Sequence, residues 1–191
     1  MPETAWGFES LRPQLTRRDL AWHVRVYSDP LQHAAIAAVV VAPLAAQTNR
    51  RVFATAVAAA LVIDVDHAVA ARSVRIRATT GLDSRPRTHS AVTALAAGAA
   101  VGLAAGPVQG WAAFAGLVSH LLHDAGDRAA PTPVLWPFAP ARQLGRRRQM
   151  AGTALLALGS LALSRALAGA SSAPSAAAAD GGGASARPRT A

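Results

Sequence analysis

Three ionisable side chains fall within the four positions Asp64-Val65-Asp66-His67, at the end of an apolar run. The chain has only ten acidic residues and six histidines. Polar groups at membrane depth are costly and tend to be functional. Imidazole and carboxylate are donors for zinc, manganese or iron. The sequence has no Cys, so a metal here must be held by His and carboxylate. A second concentration is Ser119-His120-Leu121-Leu122-His123-Asp124, and single histidines stand at His33 and in Arg85-Pro86-Arg87-Thr88-His89-Ser90.

The spacings fit ligation. His120 and Asp124, at i and i+4, share a helix face, as do His120 and His123, and Asp64 and His67, at i and i+3. Asp64 and Asp66 cannot share one face of a regular helix. Either one of them acts away from the cation, or the helix unwinds there. A cation held among these histidines and carboxylates could lower the pKa of bound water towards about 7 and present hydroxide to an ester or phosphoester. Arg85 and Arg87 by themselves read as topogenic or headgroup-binding charge. Taken singly, each residue has a plainer role: helix-end polar group, lipid-headgroup contact, or, for Thr88 and Ser90, an N-cap.

The elements that must position these residues are apolar. The chain is 52% hydrophobic and 15% charged, against about 25% charged in soluble domains. Five apolar segments stand out: 31–47, 52–66, 91–105, 111–124 and 150–168. The first two fall short of the roughly 20 residues that a straight span needs. Gly98, Gly102 and Gly106 recur every fourth position, a spacing that lets membrane helices approach closely. Gly106-Pro107 is expected to close the third segment, with Gln109-Gly110 completing the turn. Trp136 and Phe138 suit an interfacial anchor. The predicted fold is all-α, a multi-spanning transmembrane bundle of four to five apolar helices. Residues 1–30 form a polar, amphipathic extension, 31–168 the membrane-embedded domain, and 169–191 a Gly/Ser/Ala-rich tail expected to be disordered. Arginines interrupt every apolar run of the first thirty residues, so they read as no signal peptide.

Topology turns scattered residues into one site. All nineteen basic residues are Arg, and the net charge is +9. With the N-terminus in the cytoplasm, residues 1–30, 67–89 and 125–149 share the inner side and carry fourteen of the nineteen arginines, which satisfies the positive-inside rule. That assignment puts His33, Asp64, Asp66, His67, His89, His120, His123 and Asp124 all at the inner ends of their helices. The basic charge is therefore topogenic, and no nucleic-acid partner is expected. A metal or proton transporter would place its ionisable groups near the bilayer midplane, so the clustering at one end favours an enzyme. The competing reading is a non-enzymatic membrane protein, transporter or scaffold, with a structural His/Asp metal site.

Asp64-Val65-Asp66-His67, Arg85-x-x-Thr88-His89-Ser90, Ser119-His120-x-x-x-Asp124 and Leu135-Trp136-Pro137-Phe138, in this order and spacing, resemble the YdjM-like family of bacterial inner-membrane, metal-dependent hydrolases. His33 is similar to that family's N-terminal motif histidine, and the resemblance covers about residues 31–148. It implies a multi-pass protein of the inner membrane in contact with the bilayer and a His/Asp metal site. The ligand positions would be His33, Asp64, His67, His89, His120 and Asp124, with Asp66 and Arg85 as catalytic groups. Asp66 would then be a spare carboxylate, a general base or a bridge between metals, and Arg85 or Arg87 would hold an anionic substrate. Zinc is the first choice of metal, manganese or iron the alternatives. A more distant similarity to zinc-dependent phospholipase C points to a phosphoester, such as a phospholipid or lipid-linked substrate, at the cytoplasmic face. The chain departs from the pattern at Gln32, where a Thr or similar residue is usual, and in its thirty extra N-terminal residues. His123 is an additional donor, and Asp127-Arg128 stand where a Thr-Pro turn is usual.

Overall fold

In the computed structural model, residues 17–126 and 130–172 are described. They form seven helices: α1 (Arg17–Gln47), α2 (Arg51–Val62), α3 (Val65–Ala70), α4 (Ile76–Thr80), α5 (Ala91–Ala105), α6 (Pro107–Gly126) and α7 (Arg146–Ser172). No strand occurs among the described residues; one isolated bridge pairs Thr132 with Arg142. The all-α expectation holds. The start of the N-terminal extension, Asp127-Arg128 and the tail from residue 173 lie outside the described residues.

Three stretches are long and apolar enough to cross a membrane: Val26–Gln47, Arg51–Ala70 and Arg146–Ser172. Ala91–Ala105 is a shorter apolar helix. The first two spans are therefore longer than the sequence segments 31–47 and 52–66. α1 runs on through Pro30 and Asp29, and the second stretch continues past Asp66 to Ala70. In both cases the helix carries its polar residues inward, where they meet other polar residues rather than lipid.

The bundle is built around α6, which packs against α5, α2, α1 and α7. Eleven of its twenty residues are buried, among them Ala112, Ala115, Leu117, His120 and Asp124. α6 is not among the stretches apolar enough to cross a membrane, and the surrounding helices enclose its polar residues His120 and Asp124. One core cluster joins Val40, Val41 and Leu44 of α1 to Val52, Ala56 and Ala60 of α2 and to Ala112 and Ala115 of α6. α5 can lie close to α6 because glycines face each other: a Cβ at Gly110 would meet Gly102 Cα at 2.7 Å. Such approach supplies the packing that holds membrane helices together.

The connection between α5 and α6 corrects the expected turn. Gly106 alone links the two helices, with φ +93°, a conformation that suits glycine. Pro107 is the first residue of α6, where a missing N–H costs nothing and the fixed φ is already helical. Gln109 and Gly110 are thus helical, and Gln109 Oε1 accepts a 2.6 Å hydrogen bond from Thr55 of α2. Ser90 caps α5 by accepting from Thr93 N at 3.3 Å, as its residue type predicts.

α7 lies on the outside. Its buried residues are Leu156, Ser160 and Ser164, one stripe at four-residue spacing. Ser160 Oγ accepts from Trp111 Nε1 of α6 at 2.9 Å, and Ser164 Oγ donates to the Pro43 carbonyl of α1 at 2.9 Å. The rest of α7, with Leu155 and Leu158 exposed, presents apolar surface suited to lipid.

Candidate metal centre

The helix bend between α2 and α3 decides where Asp64 and Asp66 point. Asp66 N bonds to Ile63 O and His67 N to Asp64 O, each at 3.1 Å, so the chain here is wound in three-residue turns. Side chains at i and i+3 eclipse in such a turn, which aligns Asp64 with His67 and turns Asp66 aside. Asp64 Oδ1 lies 3.4 Å from His120 Nε2, 3.7 Å from His89 Nε2 and 3.5 Å from His67 Nδ1. Asp66 instead reaches behind the histidines. Its Oδ2 accepts from His89 Nδ1 at 2.9 Å and from the Thr88 hydroxyl, and its Oδ1 lies 3.2 Å from His67 Nδ1.

The other walls come from α1, α6 and the loop before α5. α6 contributes His120 and Asp124 from one face, with Asp124 Oδ2 3.4 Å from His120 Nε2 and 3.6 Å from His89 Nε2. α1 contributes His33, whose ring stacks on that of His120 at 3.7 Å between centroids. His33 Nε2 lies 3.6 Å from Asp124 Oδ1. The loop residue His89 is fixed by its backbone N–H on the Pro86 carbonyl at 2.9 Å and by the α5 cap at Ser90.

Arg85 is engaged inside the cluster. Its guanidinium donates to Asp124 Oδ1 at 3.1 Å and meets His67 Nε2 at 3.1 Å, while its backbone N–H bonds to the Pro131 carbonyl. Arg87, by contrast, is exposed and lies over the Trp136 ring, 5.9 Å from its centroid. Phe138 is 86% exposed, which fits an anchor at the membrane boundary.

Burial is the most informative property of the cluster. His89 and His120 are 0% exposed, His33 1% and Asp124 2%. Yet His33 Nε2, His89 Nε2, His120 Nε2 and Asp124 Oδ2 have no hydrogen-bond partner. Each such group costs about 1–3 kcal/mol when buried unsatisfied. Four of them side by side form a set of donors that could hold a metal ion. The spacings identify what fits. The four carboxylate–imidazole separations among Asp64, His89, His120 and Asp124 run from 3.4 to 3.7 Å. These exceed ordinary hydrogen bonds. Donors at about 2.1 Å from one cation in a tetrahedron are about 3.4 Å apart.

The hydrogen bond between His89 and Asp66 agrees with this fit. With Nδ1–H of His89 directed at Asp66, its Nε2 turns a lone pair towards the cluster, the arrangement that orients metal-bound histidines. Burial pulls the His89 pKa down, but the neighbouring carboxylates of Asp64 and Asp66 outweigh this and raise it, so a cation must displace the proton to bind there. Among the described residues, four donor sets could hold a metal ion, with ligand atoms within 4.8 Å of one another: Asp29, His33 and His123; His33, Asp64 and His120; Asp64, His67 and His89; and His89, His120 and Asp124.

The six residues expected as ligands, His33, Asp64, His67, His89, His120 and Asp124, all fall in this one cluster, with Asp66 and Arg85 at its edge. Asp29 is the residue that the sequence reading passed over. It lies one helical turn before His33, at i and i+4, and that spacing was its signal.

The sequence model of a family described as YdjM inner membrane protein matches residues 29–180. No curated protein and no solved structure matches the chain. The match spans most of the chain and every residue of the cluster; the chain belongs to the YdjM family of inner membrane proteins.

Proposed function

We propose that this protein is a membrane-bound, metal-dependent hydrolase that cleaves a phosphoester, in a phospholipid or other lipid-linked substrate, at the cytoplasmic face. The observation that carries the reading is the convergence of orphaned, buried donors: His89 Nε2, His120 Nε2 and Asp124 Oδ2, facing Asp64 Oδ1. The metal would be held by Asp64, His89, His120 and Asp124, with His33 and His67 flanking them. Zinc suits this donor set best, with manganese or iron as alternatives. When bound, such a cation supplies Lewis acidity and lowers the pKa of water from 15.7 to about 7.

The chain's own residues divide the remaining work. Asp64 is the most exposed member, with 38% of its side chain accessible, so substrate enters on its side. Asp66 holds His89 and His67 in orientation. Its Oδ2 is committed to His89 and Thr88, which suits positioning better than the general-base role expected for it. Arg85 balances the charge of Asp124 and steadies His67. Arg87, exposed beside Trp136, is the better placed of the two arginines to receive an anionic headgroup. The cluster lies at the helix ends, where a lipid's ester and phosphate groups are found. The N-terminus is cytoplasmic by the arginine distribution.

The test is metal analysis of the protein purified in detergent, followed by assays on phosphoester substrates with added zinc or manganese. Bound metal in the parent protein, lost in His89→Ala and His120→Ala together with turnover, is the expected result. A parent protein without stoichiometric metal overturns the site. Metal without turnover on any phosphoester points instead to a structural or transport role.

A further inference from the structure

Asp29 and His123 belong to neither the sequence motifs nor the four-donor centre, and they face each other across α1 and α6. Asp29 Oδ2 lies 3.6 Å from His33 Nε2, and Asp29 Oδ1 lies 3.7 Å from His123 Nε2. The His33 and His123 rings meet edge to face, 4.7 Å between centroids. We propose that Asp29, His33 and His123 hold a second divalent cation beside the first, with Asp124 bridging the two. This inference rests on the metal-centre reading above and adds ligands to it.

A plain ion pair explains these contacts less well. A protonated imidazole donating to a carboxylate would close to about 2.7–2.9 Å. The separations of 3.6 and 3.7 Å are too long for hydrogen bonds and close to the edge of a shared coordination polyhedron. His33 gives the independent sign: it is 1% exposed, and neither of its ring nitrogens has a hydrogen-bond partner. A side chain buried so completely, with Nε2 aimed between Asp29 and Asp124, calls for a partner that these residues do not supply among themselves.

Asp124 is placed to serve both positions. Its Oδ2 faces His89 and His120, and its Oδ1 faces His33 at 3.6 Å while accepting from Arg85. Paired cations in hydrolytic sites stand about 3.5–4 Å apart and clamp the attacking and leaving oxygens of one phosphoester. A carboxylate whose two oxygens look to opposite donor groups spans such a distance.

His123 has its own support. Gln149 of α7 places its amide nitrogen 3.2 Å from His123 Nδ1 and fixes the ring beside Asp29. Gly126 makes room for this reach, since a Cβ there would meet Gln149 Cβ at 2.8 Å. α7 thereby gains a positioning role in addition to its lipid-facing one.

The experiment loads the full-length, detergent-purified protein with Mn(II) alone and reads stoichiometry and electron paramagnetic resonance together. The parent protein should bind two equivalents with a spin-coupled spectrum. Asp29→Asn and His123→Ala should each bind one, with the six-line signal of isolated Mn(II). Gln149→Ala, which frees the His123 ring, should keep both positions but bind the second cation more weakly. Asp29→Asn is nearly isosteric, and retention of the first cation in it reports an intact fold. One equivalent in the parent, unchanged in both variants, overturns the second position and leaves the four-donor centre standing. No bound metal in the parent overturns both readings.

Discussion

Replacing Asp66 by Ala tests the division of labour in the centre most sharply. In the protein, Asp66 Oδ2 holds His89 Nδ1 at 2.9 Å and Oδ1 lies 3.2 Å from His67 Nδ1. No cluster nitrogen facing Asp64 and Asp124 is removed by the substitution. The loss should be one of orientation and tautomer. Freed from Asp66, His89 can place its proton on Nε2 as readily as on Nδ1, and that tautomer cannot ligate. Supporting carboxylates of this kind are worth about 10- to 100-fold in metal affinity, which is about 1.4–2.7 kcal/mol at 1.4 kcal/mol per tenfold. The assay is competition for Zn(II) against a chromophoric chelator in detergent, with the parent, Asp66→Ala and Asp64→Ala compared side by side. Asp66→Ala should fall in the 10- to 100-fold range, and Asp64→Ala, which removes a donor, should lose more. Unchanged affinity in Asp66→Ala refutes the supporting role. Loss as deep as that of Asp64→Ala shows Asp66 to be a ligand.

Three further outcomes follow from the same geometry. Arg85→Ala leaves the buried Asp124 carboxylate without its guanidinium; breaking one side of a buried pair costs about 3–5 kcal/mol, so the metal-free protein should melt on the order of 10 °C lower, and Zn(II) should restore part of the loss. Metal affinity should rise with pH: His89 retains its proton above the ordinary value and must lose it to ligate, so affinity should climb by up to about tenfold per pH unit below its pKa, with proton release visible in titrations in buffers of different ionisation enthalpy. A reporter fused after Asp83 should read cytoplasmic; a periplasmic signal overturns the orientation drawn from the arginines.

Much of this architecture was legible in the chain. The apolar run Ala91–Ala105, bounded by Ser90 and Gly106, is helical over those same residues, because a capping serine and a glycine mark helix ends through local chemistry. The arginine distribution brought His33, Asp64, His67, His89, His120 and Asp124 to one end of the bundle before any distance was known. Ionisable residues in an apolar chain have few places to go, and placing the helix ends together puts them together.

What only the tertiary structure decided are relations between residues far apart or on a bent backbone. Pro30 and the polar residues around it argue for a helix end, yet α1 continues through both Pro30 and Asp29, which brings Asp29 beside His33 and His123. Arg85 looked free to hold an anion; its pairing with Asp124, thirty-nine residues away, arises only when the loop folds over α6. The choice between Asp64 and Asp66 turned on three-residue winding after Ile63. Residue types and spacing name the donors, but a periodicity of 3.6 cannot say where a helix tightens, and that local twist decides which carboxylate faces the cluster.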